Sequence, residues 1–192
     1  MSISPDPAGV PATVVLRDGA TAVLRAVPYD DPVAVELVER TQQEYVVRYG
    51  GRDEAVVDPA EFAPPAGLFL VAEVGGDPAA SGSWRVHGAG VVEVKRVYVD
   101  PGFRRRGLAQ ALMTALEASA ARAGHRAVVL NSGGRQPEAL ALYAGLGYHP
   151  VPGYGVYSEA PGAVFLGKDL PRPAAGLPAP GTDDEEDSSW AS

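Results

Sequence analysis

The stretch that most constrains this chain runs from Val91 to Ala123, where the hydrophobic period changes across one tight turn. Val91–Val99 is β-rich and reads as a strand, broken by Asp100-Pro101-Gly102. After Gly107, the residues Leu108, Leu112, Leu116 and Ala120, with Met113 and Ala123 beside them, fall on one helical face that Gly124 ends. A strand, a turn and then Arg104-Arg105-Arg106-Gly107-Leu108-Ala109-Gln110 opening a helix is a recipe for a diphosphate site. The first helical turn leaves backbone N–H groups unpaired and carries the positive end of the helix dipole. Small residues at Gly107 and Ala109 let phosphate oxygens approach that backbone, and three arginines add charge. The bland alternative is a glycine cap with solvated arginines. The Gly-x-Gly-x-x-Gly dinucleotide turn and the Gly-x4-Gly-Lys-Ser/Thr nucleotide loop are both absent.

Around this unit the elements alternate. Thr13–Leu16 and Thr21–Val27 flank Arg17-Asp18-Gly19-Ala20 and predict a hairpin. Asp31 followed by Pro32 opens a helix that Gly50-Gly51 stops after Tyr49. Asp58-Pro59 to Pro64-Pro65 is a loop or short helix. Leu68–Val74, Ala79–His87 and Gly90–Val99 read as successive strands, and Ala127–Leu130 as a short buried one. Pro137 to Gly147 is a second capped helix after the phosphate turn, and Val164–Leu166 a last strand. The order predicts an α+β domain over residues 12–170 with one mixed sheet and flanking helices. Residues 1–11 are expected to be frayed. Residues 171–192 are Pro/Ala/Gly-rich and then acidic, a composition expected to stay disordered.

Charge narrows the ligand class. The chain carries −8 overall. From Pro171 on, five acids (Asp183, Asp184, Glu185, Glu186 and Asp187) face only Arg172, which is −4 and leaves −4 for the body. Against that background Lys95, Arg96, Arg104, Arg105 and Arg106 oppose Asp100 alone, +4 within a short segment. A positive spot on an acidic protein points to a small anionic ligand, with no nucleic-acid partner. No apolar run is long enough for a membrane span, the N-terminus lacks a signal pattern, and cysteine is absent, so no membrane partner and a cytoplasmic location are expected. His87, His125 and His149 are scattered without ligand spacing, so no metal is expected.

Two motifs make the reading specific. Val97-Tyr98-Val99-Asp100-Pro101-Gly102-Phe103-Arg104-Arg105-Arg106-Gly107-Leu108-Ala109 resembles motif A of the GNAT acetyltransferase superfamily, Arg/Gln-x-x-Gly-x-Gly/Ala. Gln136-Pro137-Glu138-Ala139-Leu140-Ala141-Leu142-Tyr143, followed by Gly147-Tyr148, resembles its motif B, with Gln136 where Asn is usual and Ala109 where Gly is commoner. The resemblance covers roughly residues 90–150. It implies the GNAT acyl-CoA N-acyltransferase fold, with acetyl-CoA as co-substrate between two splayed strands, here Gly90–Val99 and Ala127–Asn131. The implied cofactor-binding residues are Val97, Tyr98, Val99, the Arg104–Gln110 turn, Asn131 and Gln136.

Glu93 matches the position of a catalytic Glu in histone-modifying members and is the candidate base. Strand periodicity places Glu93, Lys95, Val97 and Val99 on one face. The alternative is an ion pair that only holds the strand. Tyr143 matches the motif-B tyrosine near the CoA sulfur and is the candidate acid; the alternative is core packing. Glu44, Tyr45, Arg48 and Tyr49 at the end of the first helix, Trp84 and Arg85 on a strand, and the Pro150–Tyr157 loop are candidates for the acceptor cleft, with solvated helix ends as the alternative. The expected activity is transfer of acetyl to a primary amine of a small molecule. Its rivals are a protein Lys or N-terminal acetyltransferase and a non-catalytic acyl-CoA sensor, and a homodimer is left open.

Overall fold

A computed structural model describes residues 13–53 and 57–171. The frayed segment expected at 1–11 and nearly all of the acidic tail lie outside the described residues. An eight-stranded sheet has the order β1-β2-β3-β4-β5-β6-β8-β7. Its strands are β1 Thr13–Val15, β2 Thr21–Ala26, β3 Gly67–Val74, β4 Asp77–Gly88, β5 Val91–Val99, β6 Ala127–Gly133, β7 His149–Pro150 and β8 Ala163–Asp169. Helices α1 Pro32–Tyr49, α2 Leu108–Arg122 and α3 Pro137–Gly145 flank it. Every pairing is antiparallel except β5 with β6. No helix among the described residues is long and apolar enough to cross a membrane.

The central strands are buried on both faces. On β3, Phe69 and Val71 pack toward the α1 side with Leu37 and Phe62, while Leu68, Leu70 and Ala72 join the α2 side with Leu112, Met113 and Leu116. Burying a leucine fully stabilises by about 1.5–3 kcal/mol, so the α2 stripe alone is a major contributor. Gly82 on β4 lets α2 approach closely, because a Cβ there would stand 3.0 Å from Leu112 Cδ2 and Leu116 Cδ1.

The cap chemistry follows the sequence. Asp31 accepts a hydrogen bond from Val33 N at 2.9 Å, Pro32 occupies the first helical turn, and Gly50 closes α1 in the left-handed region at φ 83°. β6 and β8 extend beyond the expected runs, and β7 is a short strand the hydrophobic pattern does not announce.

One irregularity corrects the expected strand faces. Ser83 pairs with Lys95 but Ser81 pairs with Tyr98, so Arg96 and Val97 together stand opposite Gly82. Arg96 sits at φ 58°, a β-bulge conformation. The extra residue inverts the alternation. Glu93 and Lys95 therefore share a face with Tyr98 on the α1 side, while Val97 and Val99 pack with Val92 and Val94 on the α2 side.

Candidate active site

β5 and β6 pair only at Val91–Glu93 with Ala127–Val129, and beyond that point they diverge. The notch is a cavity of about 360 Å3 floored by Val97, Tyr98 and Val99 and walled by Asn131, Gln136 and Tyr143. One end lies under the phosphate turn, where Arg104, Arg105, Gly107, Leu108, Ala109 and Gln110 line it. The structure thus brings most of the sequence-identified groups together. Gly107 is the N-cap of α2 at φ 89° and the helix has no side-chain cap, so its first-turn amides face the notch end without a protein side chain on them.

The three arginines of the turn part company. Arg104 donates from Nε to the Val99 carbonyl at 2.9 Å and from Nη2 to Glu44 Oε2 at 2.6 Å. Arg105, at φ 63°, is exposed and lines the cavity. Arg106 turns away: its Nε reaches Asp18 Oδ2 at 2.5 Å and its guanidinium lies 5.6 Å from the Phe103 ring, outside the lining. Its place is taken by Arg17 from the β1–β2 turn, which lines the cavity and donates to Gln110 Oε1 at 3.3 Å. Sequence reasoning missed Arg17, because only the tertiary docking of the hairpin brings it there.

A second cavity of about 280 Å3 adjoins the first and shares Tyr45, Lys95, Arg96, Asn131, Ser132 and Gln136 with it. Tyr49, Asp53, Tyr157 and the Ala160–Ala163 segment wall its outer side. Asp53 is its anchored carboxylate: Arg96 Nη1 donates to Oδ2 at 2.5 Å and the Tyr157 hydroxyl to Oδ1 at 2.6 Å. Neither Asp53 nor Arg96 is among the candidate site residues read from the sequence, since the bulge and loop that bring them to this cavity carry no motif.

Tyr143 lines the larger cavity and is only 6% exposed. Burial first, and then the neighbouring Tyr45, push its phenol well above the usual value. It is therefore a protonated donor at neutral pH. Burial likewise raises Tyr45, with Arg96 pulling the other way.

Several expected site residues are placed elsewhere. The Glu93 side chain is 4% exposed and lines neither cavity; its Oε1 meets Lys95 Nζ at 3.0 Å and its Oε2 meets Arg85 Nη2 at 2.9 Å. That is the position of a buried counter-ion, and it touches the cavities only through Lys95. Trp84 is a core residue that lines neither cavity. It faces α2, donates from Nε1 to Ser119 Oγ at 2.6 Å and packs edge-on to His125 at 5.4 Å. Arg48 pairs with Glu44 on its own helix and links α1 to the start of α3 through Glu138 and the Arg135 carbonyl, and it lines neither cavity. Glu44 lines the larger cavity and Tyr49 the smaller.

The acetyltransferase (GNAT) family profile matches residues 34–148. A relative from Azospirillum brasilense, named an IAA acetyltransferase, is 30% identical over 149 residues, 77% of this chain and 97% of its own. Among solved structures, the GNAT domain of S. lividans PAT superposes with a TM-score of 0.66 at 26% identity, covering 83% of this chain and 96% of that one. An IAA acetyltransferase from Bacillus cereus, at 18% identity and a TM-score of 0.55 over 78% and 99% of the two chains, shares the fold. The splayed strands, the bare α2 N-terminus and these matches agree: the chain belongs to the GNAT acetyltransferase family and is an acyltransferase enzyme.

Proposed function

We propose that the protein transfers an acetyl group from acetyl-CoA to a primary amine of a small molecule in the cytoplasm, in a reaction that calls for no metal. The observation that carries this reading is the pair of adjoining cavities, one running from the α2 N-terminus to Tyr143 and one walled by tyrosines and Asp53. The first suits the diphosphate and pantetheine arm of the donor, with Val97 and Val99 on the unpaired edge of β5 and Asn131 and Gln136 opposite. The second is a half-open cavity of about 280 Å3, a size that suits a compact amine-bearing acceptor. The relative named an IAA acetyltransferase supports acetyl as the transferred group.

In this reading the amine nitrogen attacks the thioester carbonyl carbon. The C–N bond forms and the C–S bond breaks. The Tyr143 hydroxyl donates a hydrogen bond to the departing sulfur, which leaves as a thiolate with the C–S electron pair and is protonated by solvent. The nitrogen's proton passes to Asp53, directly or through water, because Asp53 is the carboxylate anchored beside the acceptor chamber. Glu93 serves at one remove, holding the Lys95 ammonium at the junction of the two cavities.

Thiol release measured with acetyl-CoA and parallel panels of small amines and peptides tests the proposal. Turnover confined to small amines is the expected result. Turnover confined to peptides favours a protein acceptor, and tight CoA binding without any turnover favours a sensor.

A further inference from the structure

We propose that Arg17, on the turn between β1 and β2, is a phosphate-binding residue of the donor cavity. The inference rests on the acetyl-CoA reading above and adds a residue that lies outside the family-matched span of 34–148.

The turn is stapled onto the α2 N-terminus. Arg17 N donates to the Arg106 carbonyl at 3.0 Å, Asp18 holds Arg106 at 2.5 Å, and Arg17 Nη2 reaches Gln110 Oε1 at 3.3 Å. Gln110 belongs to the first turn of α2, and Arg17 lines the same cavity as Gly107, Leu108, Ala109 and Gln110, so the guanidinium and the helix start border one space. Gly107 keeps room for it, since a Cβ there would stand 3.3 Å from Arg17 Cγ and 3.4 Å from its Nε.

The pairing of the neighbouring cations sharpens the assignment. Arg104 is engaged by Glu44 and Arg106 by Asp18. Among the described residues Arg17 and Arg105 are the arginines of this cluster with no carboxylate partner, and both line the cavity. An arginine beside bare helix amides is the arrangement that binds phosphate oxygens in fork geometry. The shared chemistry is a phosphate monoester or diphosphate, either the 3′-phosphate or the pyrophosphate of the donor.

Calorimetric titration of the full chain with CoA and with 3′-dephospho-CoA tests this, with melting temperature followed in parallel. Arg17→Gln is expected to weaken CoA binding about tenfold, Arg17→Glu more, and Arg17→Lys least, with the losses shrinking at high salt. A loss that disappears with 3′-dephospho-CoA assigns the 3′-phosphate; an equal loss with both ligands assigns the pyrophosphate. Wild-type affinity in a folded Arg17→Gln protein overturns the proposal. So do equal losses in the Gln and Lys variants accompanied by a lowered melting temperature, which make Arg17 a structural staple. Failure of the wild-type chain to bind CoA at all overturns the donor reading instead.

Discussion

Arg96 Nη1 lies 2.5 Å from Asp53 Oδ2, and this ion pair ties the bulge of β5 to the loop that follows α1. The two side chains are 4% and 14% exposed, and Tyr157 bonds the same carboxylate from the late loop. Asp53 therefore joins the β5 bulge and the late loop, two walls of the smaller cavity, through Arg96 and Tyr157. Removing one partner of a buried pair strands the other charge and costs about 3–5 kcal/mol. Arg96→Met is expected to lower stability by that order in denaturant melts. In the folded fraction it should raise the acceptor KM well beyond any change in the acetyl-CoA KM. Equal shifts in both constants would detach the pair from the acceptor wall.

Glu93→Ala tests the placement of the buried carboxylate. It leaves Arg85 and Lys95 without their shared counter-ion, so a stability loss of about 3 kcal/mol is expected from the same penalty. A group that touches no substrate gives a rate defect that is flat across pH. A defect that shrinks as pH rises toward the amine's own pKa would restore Glu93 as the base.

Ala109→Asp probes the phosphate turn. The side chain adds bulk and negative charge at the second residue of α2, where the cavity meets the helix amides. An acid in a first helical turn is favourable to the helix itself, so the fold should persist. CoA binding should fall by at least about a hundredfold in calorimetry. Unchanged affinity in the folded variant would move the diphosphate elsewhere.

Much of this was legible in the sequence, and the failures share one cause. The change from strand to helical period at Gly107 located the turn, and the Asp31-Pro32 and Gln136-Pro137 starts located two helices within a residue. Local pattern does not announce a bulge, however. Strict alternation put Glu93 on the face of Val97, whereas the extra residue at Arg96 sends it to the other side. Trp84, read from the sequence as an acceptor-cleft candidate, faces α2 and lines neither cavity for a related reason: an aromatic on a two-sided strand carries no mark of which face it takes until its partners are known. Arg17 and Asp53 were invisible because distant loops bring them to the site.

Trp84→Phe follows from that correction. The ring volume is largely kept, while the hydrogen bond to the buried Ser119 is lost. A destabilisation of about 1–2 kcal/mol is expected in thermal or denaturant melts, from the lost hydrogen bond and the small void, since Ser119 Oγ keeps its own bond to the Leu116 carbonyl at 3.1 Å. Acceptor and acetyl-CoA KM values should stay at wild type. A selective rise in the acceptor constant would return Trp84 to the cleft.

Tyr143 offers the sharpest test of the chemistry. Its phenol is buried in the cavity wall and held above the ordinary tyrosine value, first by burial and then by Tyr45. It therefore stays protonated across the neutral range and into mild alkali. If it assists the departing sulfur, Tyr143→Phe should lower kcat by about 10²-fold or more with little change in the acetyl-CoA KM. The wild-type rate should show no descending limb from this group below about pH 10, the ordinary phenol value. Linkage gives an independent sign. Because the folded pKa is raised, the contribution to stability is fully present below pH about 10 and is lost as pH rises above it, where the unfolded chain releases the proton first. Tyr148 and Tyr154 are raised in the same direction, burial being the main cause in each. Melting temperature should thus decline above pH about 10, and phenolate absorbance from these three rings should appear only with unfolding. Tyr143→Phe should soften that alkaline decline while losing turnover. A variant that keeps full kcat but softens the decline would leave Tyr143 a packing residue and send the search for the hydrogen-bond donor elsewhere in the notch.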